Sequence, residues 1–111
     1  MNNTIGNRQL LNRLKELCEG TPYDMRIREY ENFIYPYLFT RRDAPEYTPG
    51  FYLDDDLRFS GAFRIEVQTT SYGALEPDAI MEVVQGLMTA AKLAKAMSVQ
   101  IQLAGYRVIG G

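Results

Sequence analysis

Residues 77–105 read PDAIMEVVQGLMTAAKLAKAMSVQIQLAG, and how they fold decides the architecture. Ile80, Val83, Leu87, Ala90, Ala94, Met97, Ile101 and Ala104 recur at alternating spacings of three and four, the seam of one helix face. No polar residue interrupts it. Pro77 suits a first helical turn, Asp78 and Glu82 sit well beside the positive end of the helix dipole, and Gly105 supplies a stop. A rival pattern overlaps the end. VQIQL at 99–103 alternates with period two, so a helix ending at Met97 and a hairpin turning at Ala104-Gly105 also fit. Eight matches to the helical template outweigh three to the other, and the spacing predicts one long helix.

Outward from this helix, a second helix is expected at 7–19. Leu10, Leu11, Leu14, Leu17 and Cys18 share a stripe there, Asn7 is placed to cap its start and Gly20 to take the left-handed position after its end. After Thr21-Pro22, Tyr23, Met25 and Ile27 alternate with Asp24, Arg26 and Arg28, the pattern of a half-buried strand. Glu31-Asn32 is the expected hairpin turn. It leads into ENFIYPYLFTRR (31–42), which is apolar on both faces: Phe33, Tyr35, Tyr37 and Phe39 on one, Ile34, Pro36 and Leu38 on the other. Pro36 removes a ladder donor, so this strand belongs at an edge, with one face on the helices and the other covered by a second subunit or a partner. Residues 43–58, with two prolines, a glycine and an acidic triplet, are expected to be an irregular loop. Phe63, Ile65 and Val67 alternate with Arg64, Glu66 and Gln68 in a third strand.

The expected fold is a single α+β domain over residues 1–111. It has an N-terminal helix, a three-stranded antiparallel sheet (four-stranded if 99–103 form a strand), and a long C-terminal helix packed on one sheet face. At 111 residues such a domain can bury one ordinary core. No apolar run reaches the roughly 18 residues of a membrane span, and MNNTIGNRQ lacks the layout of a signal peptide. One cysteine makes no internal disulfide, so a cytoplasmic address is expected.

The composition excludes much familiar chemistry. There is no histidine, which removes the commonest general base and metal ligand and every Ser-His or Cys-His pair. Cys18 lies on an apolar stripe and reads as a small buried hydrophobe. No P-loop, dinucleotide fingerprint or nucleophile elbow occurs. Asp54, Asp55 and Asp56 lack the spacing of a calcium loop and read as a solvated turn. No enzyme activity, metal or cofactor is expected. A net charge of −2 argues against bulk nucleic-acid binding.

What remains is a surplus of contact-forming residues. The cations are nine arginines and only three lysines, beside eight tyrosines, and both arginine and tyrosine are enriched at interface hot spots. Phe33, Tyr35, Tyr37 and Phe39 are the expected interface; Arg26, Arg28, Tyr30, Arg41 and Arg42 are candidates for ligand or partner contact. The alternative is that these arginines pair with Asp24, Glu29, Glu31 and Asp43 as a solvated surface. The terminal RVIGG is similar, at its last two residues, to ubiquitin-like modifiers and sulfur-carrier proteins, whose Gly-Gly carboxylate is activated. That resemblance would make Gly110 and Gly111 functional. The reading favoured here is a self-associating protein-interaction module, an accessory regulator or inhibitor of the kind common in phages and mobile elements. A nucleotide or anionic-ligand binder using the Arg/Tyr surface is the alternative.

Overall fold

The computed structural model describes residues 5–31, 34–56, 62–69 and 71–109. In chain order these form α1 (Ile5–Leu17), β1 (Tyr23–Glu29), β2 (Ile34–Thr40), β3 (Gly50–Asp56), β4 (Ala62–Gln68), α2 (Pro77–Leu103) and β5 (Arg107–Ile109). The fold is α+β, and the long helix is the one the three-and-four spacing predicts. Pro77 stands in its first turn, and Gly105, at a φ of +94°, turns the chain out of it. Gly20 takes a φ of +78° after α1, as expected of a residue without a Cβ. Asn7 is no cap: α1 has already begun at Ile5.

The strands form two small sheets. β1 and β2 pair antiparallel; β3, β4 and β5 form the other, with β3–β4 antiparallel and β4–β5 parallel. A parallel pair needs a long crossover, and α2 provides it between β4 and β5. The stretch at 99–103 therefore stays helical, while the tail adds a short strand. The second departure is β3, expected as loop. Phe51 and Leu53 are buried and alternate with exposed Tyr52 and Asp54, a period-two signal masked by Pro49-Gly50 before it and the aspartates at its end. The aspartate triplet is thus the end of a strand rather than a turn, with Asp54 standing opposite Arg64. β2 packs against β3, yet the two belong to different sheets. Pro36, with no N–H to offer, sits in the middle of β2.

All elements contribute to one core. Leu10, Leu11, Leu14 and Cys18 of the first helix and the turn after it meet Tyr23, Met25, Ile34 and Leu38 of the first sheet, Phe51, Leu53, Phe63 and Ile65 of the second, and Ala90, Leu93, Met97 and Ile101 of α2. Tyr106 closes one end, edge-on to Phe63 at 5.7 Å. Tyr23 is completely buried, and its hydroxyl donates to the Pro49 carbonyl at 2.6 Å, tying β1 to the β2–β3 connection. The same connection lies on α2 at Gly86. A Cβ there would stand 3.1 Å from the Tyr47 carbonyl oxygen and 3.2 Å from Pro49 Cδ.

Two predictions follow from this packing. Gly86→Val should lower the unfolding free energy by about 1–3 kcal/mol in urea titrations, because the branched side chain must displace backbone rather than a flexible side-chain tip. The core is also sensitive to alkali. Burial pushes the Cys18 thiol up to about 11 from 9.0 and the Tyr23 phenol up to about 12 from 10.0. The folded state holds both protons more tightly than the unfolded chain, so this stability is whole below about pH 9 and is lost as pH rises toward 12. Urea midpoints should be level up to pH 9 and fall above it, and Tyr23→Phe should shrink the part of the fall that lies above pH 10.

Candidate functional site

The outer face of the β1–β2 hairpin is set by pairing register. In an antiparallel pair, directly opposed residues share a face. Arg26 stands opposite Tyr37 and Arg28 opposite Tyr35, while Met25 opposes Leu38 and Ile27 opposes Pro36. Burying an unpaired guanidinium costs several kcal/mol, so the arginines face water and carry the aromatic side of β2 out with them. Ile34, Pro36 and Leu38 are buried; Tyr37 is 46% exposed and Tyr35 and Phe39 are half-buried.

The outward side chains interleave. The Arg28 guanidinium lies over the Tyr37 ring at 4.9 Å and that of Arg26 over Phe39 at 5.5 Å, each reaching diagonally past its direct partner. Tyr37 and Phe39 stack at 5.8 Å. Nearer the turn, Tyr30 and Tyr35 stack at 5.7 Å with their rings 3° from parallel. Their hydroxyls are 3.5 Å apart. That contact lowers the Tyr30 pKa and raises that of Tyr35, and Arg28 adds to the lowering at Tyr30. Such a cation over a ring is worth about 0.5–1 kcal/mol at exposed sites, and Arg28 also hydrogen-bonds the Tyr30 side chain.

The alternative, in which Arg26, Arg28, Arg41 and Arg42 pair with Asp24, Glu29, Glu31 and Asp43, is not found among the described residues. Among the described residues the one ion pair is Arg8–Glu29, and Asp24 instead accepts the Met25 N–H at 2.7 Å. Among the described residues, neither Arg26 nor Arg28 pairs with a carboxylate.

Arg41 and Arg42 do not join this face. Arg41 follows the end of β2. Its N–H donates to Pro22 O at 2.8 Å and its Nε to Tyr23 O at 3.1 Å, which turns the half-buried side chain toward the α1–β1 turn. Arg42 is exposed in the next turn. Phe33, Gly110 and Gly111 lie outside the described residues; of the four rings expected at an interface, Tyr35, Tyr37 and Phe39 share this outer face, with Tyr30 beside them. Cys18 is buried and donates to Leu14 O at 3.6 Å. Among the described residues no three metal-ligating side chains gather in one place, and no helix is long and apolar enough to cross a membrane.

Sequence reasoning missed a second region, a cleft of about 610 Å³ where the α1–β1 turn, the β2–β3 loop and α2 meet. Arg41 lines it together with Tyr47, Glu82 and Gln85. These come from separate segments with no diagnostic spacing, so no pattern along the chain could have grouped them. No known protein family, characterised protein or solved structure matches this chain.

Proposed function

We propose that this chain is a non-catalytic protein-interaction module, an accessory regulator or inhibitor, with the outer face of β1 and β2 as its docking surface. The observation that carries this reading is the state of Arg26 and Arg28, which lie over Phe39 and Tyr37 with no carboxylate partner among the described residues. Two oriented forks on a bed of rings fit an acidic segment of another protein. The rings supply apolar area, the tyrosine hydroxyls a wet rim, and the guanidinium N–H groups donate to carboxylates. A second copy using the same face would set arginines against arginines, so the partner at this surface is a different protein.

Self-association belongs elsewhere. The buried residues of α2 all lie from Ala90 onward, whereas Ile80, Val84 and Met88 in its first half are exposed, Met88 to 51%, on a stripe that does not line the cleft. Two such helices laid antiparallel bury this stripe and bring the acidic start at Asp78 toward Lys92 of the other copy.

Used as baits in parallel, the wild-type chain should capture a partner through an acidic segment, and Arg26→Glu/Arg28→Glu, with an unchanged circular dichroism spectrum, should lose it. Equal capture by both baits refutes the docking face. In sedimentation velocity at micromolar concentration the wild type should run as a dimer and Val84→Glu/Met88→Glu as a folded monomer. A strict wild-type monomer removes the self-association reading and leaves the docking face standing.

A further inference from the structure

The cleft beside α2 is distinct from the docking face and is built differently. Its walls are Gly20–Pro22 from the α1–β1 turn, parts of the loop from Arg41 to Thr48, and Met81 to Thr89 along α2. Its volume of about 610 Å³ lies in the range of small-molecule sites, about 300–1,000 Å³. The close approach at Gly86 holds the loop wall against the helix wall. Pro22, Ala44, Pro45 and Met81 give it apolar surface.

Its lining carries charges of both signs. Arg41 is fixed by its backbone bond to Pro22 and its Nε bond to Tyr23, which leaves both terminal amino groups unengaged by any carboxylate among the described residues. Asp43 on the loop and Glu82 on the helix also line the cleft, and neither enters an ion pair among the described residues. The negative field is felt locally: the Tyr47 phenol is raised chiefly by Glu46 beside it, with Glu82 adding from the helix. A phosphate dianion would meet two carboxylates for one guanidinium. A simple amine would meet the guanidinium. A ligand carrying both charges offers a partner to the guanidinium and to the carboxylates.

We infer that this cleft binds a small zwitterion of the free amino acid or short-peptide class, its carboxylate on the Arg41 fork and its ammonium group between Asp43 and Glu82. The apolar surface beside Met81 takes the ligand's side chain, and Gln85, an exposed residue of the same helix face, adds an amide to the polar set.

The test is a titration followed by protein amide NMR with lysine, leucine and glycylglycine, set against acetate and butylamine as probes bearing one charge each. The zwitterions should give saturable shifts at Arg41, Tyr47 and Gln85, and the single-charge probes should bind at least about tenfold more weakly. Arg41→Lys keeps the charge but loses the fork and should weaken binding about tenfold. Glu82→Gln, on an exposed helix position that leaves the fold intact, should weaken the zwitterions and spare acetate. Absence of saturable shifts up to about 10 mM, or acetate binding as tightly as lysine and leucine, overturns the proposal.

Discussion

The β1–β2 register is the constraint on which the exposed surface depends. Arg26 and Arg28 alternate with Met25 and Ile27, and the cost of burying an unpaired guanidinium makes the orientation of β1 unambiguous. β2 is apolar on both sides and has no such preference of its own. Pairing Arg26 with Tyr37 and Arg28 with Tyr35 imposes one, sending Ile34, Pro36 and Leu38 inward and the rings outward. A slip of one residue would bury the tyrosines and put the aliphatic set in water. The outward aromatics are therefore a consequence of arginine solvation on the neighbouring strand.

The core is assembled around the same hairpin. Tyr23 reaches from β1 to the Pro49 carbonyl, which places the β2–β3 loop over the end of the hairpin and against α2 at Gly86. That single course of the chain starts β3, closes one wall of the cleft and leaves Arg41 between two backbone carbonyls. The second half of α2 covers β4 and delivers β5 in parallel beside it. Its first half meets the loop at Gly86 and keeps an apolar stripe in water. The proposed docking face, the cleft and the stripe are thus three surfaces positioned by one core.

Much of the fold was legible along the chain because local periodicity and burial agreed. The eight-residue seam from Ile80 to Ala104 defined a helix, the Leu10–Cys18 stripe another, and the alternations at Tyr23–Ile27 and Phe63–Val67 two strands. β3 was hidden because its pairing comes from β4 while its own residues, a proline-glycine entry and three aspartates, argue for a loop. The candidate docking residues were legible as types, and Arg26, Arg28 and the β2 aromatics were named together. Their separation from Arg41 was not, since a backbone bond to Pro22 and a side-chain bond to Tyr23 turn that residue away one step past the strand.

By itself the sequence determined the elements and the chemistry available: two amphipathic helices, alternating strands, no histidine, and arginine and tyrosine in excess. Periodicity is a local property, readable wherever one face of an element must leave water. Tertiary structure alone decided which side of β2 faces out, which arginines share a surface, and that a cleft opens between a loop and a helix distant in sequence. Those outcomes follow from strand register and from backbone groups finding partners across the fold, neither of which leaves a mark in the order of residues.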